Sequence, residues 1–156
     1  PCITLRNIYV YPRLRFKSKK QERYYYKLVR DVKKTLPLAK EINRAVIETY
    51  EYLQTLPNDK ARTRHIKMVE KGLKEQYTPR MKKLTFAQGK LLIKLVNREC
   101  NQSSYQLVKA FMGPFKAGFY QAFAALFGAS LKKEYHPDDE DKMIERIVTL
   151  VENGQL

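Results

Sequence analysis

The segment NRECNQSSYQLVKAF, residues 97–111, sets arginine, glutamate, cysteine, asparagine and glutamine side by side. Glu99 is the member of that group suited to general acid or base work, with an arginine to hold its charge and Asn101 and Gln102 beside it. Gln88, Leu92, Leu95 and Glu99 recur at three- and four-residue intervals, so on a helix the carboxylate shares a face with apolar side chains. A carboxylate in that position needs a cation or several hydrogen bonds, because desolvating it alone is costly. Two readings follow. In the catalytic one, Glu99 is an acid or base whose second group the sequence does not locate. In the structural one, preferred here, Arg98 and Glu99 form an internal ion pair, Asn101 and Gln102 turn the chain, and Ser103 or Ser104 caps the next helix.

Other reactive combinations are sparse. Cys100 and His65 are the one thiol and imidazole from which a nucleophile and base could be assembled in mid-chain, but His65 sits in a basic stretch that reads as surface. His136 is followed by Pro137, Asp138, Asp139, Glu140 and Asp141. These carboxylates lack the alternating order and glycine of a calcium loop, and acids after a proline fit the positive end of a helix. With two histidines, two cysteines and no glycine-rich phosphate loop, no metal and no cofactor is expected. Cys2 and Cys100 are read as free thiols.

The strongest signal is charge. The chain carries a formal net charge of +15, with 12 basic and 2 acidic residues in positions 1–40 but 2 basic and 6 acidic in positions 135–156. Arg13, Arg15, Lys17, Lys19, Lys20, Arg23, Lys27 and Arg30 form a candidate binding set for an acidic protein, an anionic envelope surface or nucleic acid. Tyr24 to Tyr26 could stack on bases, although consecutive residues of a helix cannot share one face.

These residues need elements to position them. Length allows one domain with a continuous core, and no run approaches the roughly 20 apolar residues of a membrane-spanning helix. The start at Pro1, with no apolar signal segment, is what a processed or shortened chain would show. Residues 1–17 read as an extended basic arm anchored by Leu5, Ile8 and Val10. Apolar periodicity predicts helices over 18–36 and 38–55, broken at Pro37, and over 59–76 after a cap at Asn58. Thr78 and Pro79 are expected to open a short turn. Further helices are expected from Thr85 to about Cys100, over 105–112 and 115–128, and from near Pro137 to near Gly154. Phe86 to Val96 is apolar on most sides and should be central. The expected architecture is an all-α, irregular single-domain bundle of about seven helices, core 18–154, with the short extended arm.

Three collinear blocks carry a family resemblance: RNIYVYPRLRFKSKKQERYYYKLVRDVKKTLPLAK, MKKLTFAQGKLLIKLVNREC and GPFKAGFYQAFAALFGASLKKEYHP. Within them Tyr24 to Lys34 with Pro37, Ala39 and Lys40, Gly89 to Glu99, and Phe119 to Tyr135 with Pro137 and Asp138 carry the match. Over nearly its whole length the chain resembles a family of Bacteroidota proteins known as domain of unknown function 4294. The resemblance implies a common fold, an exported precursor and hence a periplasmic or otherwise envelope-associated location. It brings no catalytic residue or substrate. Relatives carry threonine and glycine where this chain has Cys100 and Asn101, which argues against Cys100 as a shared nucleophile, whereas Arg98 and Glu99 keep the match.

The leading expectation is a nonenzymatic, envelope-associated domain that binds an acidic partner or surface through its basic N-terminal face. The alternatives are a nucleic-acid-binding protein using the same face and a hydrolase using Glu99.

Overall fold

The computed structural model describes residues 2–101 and 141–156, with Cys100 and Asn101 as backbone only. Four helices stand among the described residues, and no strand: α1 Lys19–Gln54, α2 Asp59–Met81, α3 Phe86–Asn101 and α4 Lys142–Glu152. The expectation of about seven helices is therefore corrected. Two of the expected helices are one, and those over 105–112 and 115–128 lie outside the described residues, as do Gln102, Ser103, Ser104 and His136 to Glu140.

The correction at Pro37 has a packing cause. Proline removes one intrahelical hydrogen bond and crowds the preceding turn. Yet Thr35 and Leu36 before it and Leu38 and Ala39 after it are all buried, while Pro37 itself is exposed. Breaking the helix there would pull one of those pairs out of the core. The proline instead lies on the solvent side, where water can satisfy the carbonyl it leaves unpaired. Pro79 repeats the solution: α2 runs on to Met81 because Tyr77 and Met81 are buried on either side of it.

Capping matches local chemistry. The Ser18 hydroxyl accepts from the Gln21 amide at 3.2 Å, and Asn58 Oδ1 accepts from the Ala61 amide at 2.9 Å. Thr85 and Gln88 form a reciprocal capping box, each side chain accepting the other's amide hydrogen at 3.2 and 3.1 Å. At the end of α4, Gly154 takes φ +70°, and the Gln155 amide donates to the Leu150 carbonyl at 2.8 Å. That left-handed closure is accessible to glycine without a steric penalty.

Among the described residues α1 is the helix that α2, α3 and α4 all pack against, most extensively α3. Leu92 and Leu95 are fully buried and Leu91, Ile93 and Val96 nearly so, against Val32, Leu36, Ala39 and Ile42 of α1 and Ile147 and Val148 of α4. Phe86, expected in this apolar stretch, is 42% exposed with Lys90 over its ring. In α4 the inward pair is Ile147 and Val148, while Met143 is exposed. Helix α3 runs parallel to α1, since Gln88 near its start donates to Asp31 and Glu99 near its end meets Lys40. Helix α2 returns antiparallel along the later part of α1: Arg62 binds the Leu53 and Leu56 carbonyls, and Arg80 pairs with Glu41. Ile66, Val69 and Leu73 of α2 are only half-buried.

The arm departs most from expectation. Leu5, Ile8 and Val10 are not anchors; they are 83%, 79% and 91% exposed. Leu14 and Phe16 pack on the core instead, with Phe16 5.5 Å from the Tyr25 ring. Upstream, the Gln155 side chain pairs with both the amide and the carbonyl of Tyr9, and Arg146 lies over the Tyr11 ring.

Because Pro37 is tolerated rather than required, Pro37→Ala should raise the unfolding free energy by about 2 kcal/mol, the interior cost of proline less its entropic effect on the unfolded chain. Urea denaturation would check it; a destabilised variant would show that the proline sets a needed bend.

Candidate functional site: a buried ionic hub and an exposed cationic face

Helix α3 delivers Arg98 into the bundle with a side chain only 5% exposed. Its Nε and one Nη donate to Glu145 at 2.8 and 3.1 Å, a fork-on-fork pair. The same Nη donates to Glu152 at 2.8 Å, and the other donates to Glu99 at 3.0 Å. Lys40 of α1 closes the ring, 2.7 Å from Glu152 and 3.3 Å from Glu99. Two cations and three carboxylates thus tie α1, α3 and α4 together. A turn earlier, Lys94 pairs with Asp141, a residue the sequence suggested as an amide-capping acid and which is instead buried at 1% exposure.

Glu99 is part of this hub, with Arg98 and Lys40 as its charged neighbours. Among the described residues no group of three or more histidines, cysteines or carboxylates is arranged to hold a metal ion. His65 packs on Tyr52, ring centroids 4.5 Å apart, and the Cys100 side chain lies outside the described residues.

Burial opposes the charge on Arg98, but its hydrogen bond to Glu145 and the charges of Glu145, Glu152 and Glu99 outweigh it and raise its pKa. Lys40 behaves alike: burial lowers its pKa, the hydrogen bond to Glu152 and the charges of Glu99 and Glu152 raise it more, and the balance is upward from 10.5. Burial first, and then the charge of Glu41, push the Tyr77 phenol up from 10.0. The hydrogen bond from Arg80 holds the Glu41 carboxyl below 4.5.

The basic set lies apart from the hub. Arg13, Arg15, Lys17, Lys19, Lys20, Arg23, Lys27 and Arg30 are all exposed, and none pairs with a carboxylate among the described residues. Lys20, Arg23, Lys27, Arg30 and the exposed Lys34 follow a 3-4-3-4 spacing and form one stripe on α1, about 21 Å long at the helical rise. Tyr24, 66% exposed, stands on the same side, whereas Tyr25 points into the core at 9% exposure. Sequence reasoning stopped the set at Arg30 and missed Lys34, which the spacing alone would have added. A second stripe with the 4-3-4-3 spacing, Lys60, Arg64, Lys67, Lys71 and Lys74, is exposed on α2. Lys60, Arg64 and Lys67 line a shallow concavity of about 460 Å³ with Asp59 and Thr63.

A helical bundle with an internal ionic hub and an unneutralised cationic face defines the class of this domain, and no helix among its described residues is long and apolar enough to cross a membrane. The chain belongs to the family described as Domain of unknown function (DUF4294), whose model matches residues 1–150. No curated protein and no solved structure matches the chain.

Removing one member of a buried charge cluster leaves the others unpaired, so Arg98→Met should cost about 3–5 kcal/mol in urea denaturation. Glu99→Gln should cost less, about 1.5–3 kcal/mol, because Arg98 keeps Glu145 and Glu152. Equal losses in the two variants would argue against Arg98 as the hub. On the pH axis, raised folded pKa values for Lys40 and Tyr77 mean that their stabilisation is complete below about 10 and is lost as pH rises through the higher folded values. Thermal melts should therefore decline above pH 10, with a smaller alkaline decline in Lys40→Met; an unchanged alkaline limb in that variant would remove Lys40 from the account.

Proposed function

We propose that this domain is a nonenzymatic binding module at the cell envelope, whose basic N-terminal face receives an acidic partner or anionic surface. The observation that carries the proposal is the contrast between two populations of cations. Lys40, Arg62, Arg80, Lys94 and Arg98 each meet a carboxylate, whereas the eight from Arg13 to Arg30 meet none among the described residues. An unneutralised row of cations raises the local concentration of anions and speeds their encounter. The envelope location rests on the export implied by the family resemblance. The place of Glu99 in an ion-pair ring supports a structural role for it rather than the hydrolase alternative.

A nucleic-acid reading is favoured by one feature, the exposed Tyr24 among Lys20, Arg23 and Lys27, which is the composition of a stacking platform within a basic groove. Competition between single-stranded nucleic acid and anionic vesicles separates the two.

Pull-down from native envelopes at two ionic strengths tests the main reading. Replacing Arg13, Arg15, Lys19 and Lys20 by glutamine should lower capture at least tenfold at low salt, and raised salt should weaken capture by the parent. Undiminished capture by the neutralised variant at high salt would overturn it. Glu99→Gln should leave capture by the folded fraction unchanged.

A further inference from the structure

The basic face does not end in polar surface. The arm that leads into it displays Ile3, Leu5, Ile8 and Val10 at 83%, 83%, 79% and 91% exposure, beside the exposed Arg6, Arg13 and Arg15. Large apolar side chains held in water next to unpaired cations are a poor match for a purely ionic partner. A nucleic acid or an acidic peptide engaging the cations would leave these four residues hydrated. The headgroup region of a bilayer containing anionic lipid takes both kinds of side chain at once: apolar groups enter the acyl boundary while arginine and lysine stay with the phosphates.

The way the arm is held fits this use. Gln155 grips the backbone of Tyr9, Arg146 covers the Tyr11 ring, and Leu14 and Phe16 pack on the core. The arm is thereby fixed to the bundle from Tyr9 onward, and Ile3 and Leu5 lie in the stretch preceding that attachment. Neither Ile8 nor Val10, which flank the gripped residue, is drawn inward. Tyr9, 42% exposed, adds an amphipathic ring of the kind enriched at bilayer interfaces.

We infer that the occupant of the basic face is an anionic lipid bilayer, entered by the apolar side chains of residues 3–10 while the cations of the arm and of α1 bind lipid phosphates. The inference rests on the proposed binding role of that face and narrows it to one partner.

The test uses the full chain with vesicles of phosphatidylglycerol in phosphatidylcholine, vesicles of phosphatidylcholine alone, and polyglutamate as an anion without an apolar phase. The chain has no tryptophan, so Ile8→Trp provides a single reporter. Its emission should shift to the blue on the anionic vesicles and stay unshifted with polyglutamate. Serine at positions 3, 5, 8 and 10 together should lower partition into anionic vesicles at least tenfold while leaving polyglutamate binding unchanged. These side chains are exposed, and an unchanged melting temperature would show that the fold survives. Unaltered vesicle partition in the serine variant, or no blue shift, overturns the bilayer inference while leaving the basic-face reading standing if the glutamine variant still loses polyglutamate binding. Polyglutamate binding undiminished by those glutamines overturns the basic-face reading itself. A serine variant that loses self-association in sedimentation velocity but keeps its lipid partition identifies a second copy of the chain as the occupant and also overturns the inference.

Discussion

The cost of placing an arginine inside this bundle organises everything around it. A guanidinium at 5% exposure has surrendered most of its hydration, and only carboxylates with good geometry can replace that loss. Glu145 and Glu152 come from α4, Glu99 from α3, and Lys40 from α1 offsets part of the surplus negative charge. The hub therefore selects one register among three helices, because sliding any of them by a turn would separate charges already out of water. Apolar packing along Leu92, Leu95 and Val32 supplies the burial, but such contacts tolerate small shifts better than a forked ion pair does.

That registry also fixes the far ends of the chain. Holding Glu152 against Arg98 and Lys40 places the glycine turn at Gly154, and that turn presents Gln155 to the backbone of Tyr9. The basic arm is thus attached to the same helix that closes the hub, which links the interior ion pairs to the face proposed to bind. The cations divide accordingly: those inside are neutralised pairwise and act on stability, while those on the arm and the first half of α1 keep their fields in solvent. The long α1 serves both, with its Tyr25, Val32 and Leu36 side in the core and its Lys20 to Lys34 stripe outside.

Much of this was legible from the residues. Helical periodicity identified the core sides of α1 and α3, Asn58 marked a cap, and the eight basic residues singled out between Arg13 and Arg30 are exposed. The misses share one cause. Pro37 and Pro79 read as breaks because local backbone chemistry was allowed to decide, whereas burial on both sides of each proline decided instead. Leu5, Ile8 and Val10 read as anchors because they are apolar, although composition carries no information on whether a surface is present to receive them.

Residue types and their spacing by themselves determined that the chain is helical, strongly basic at its start, and obliged to neutralise Glu99 if α3 is central. They determined it because periodicity and charge are properties of neighbouring positions. Only the tertiary structure decided which partners Arg98 would have, for Glu145 and Glu152 lie 47 and 54 residues away along the chain. Only it decided, too, that Asp141 would bind Lys94 and that the apolar arm would remain in water, since desolvation depends on what packs from a distance and not on what comes next in the sequence.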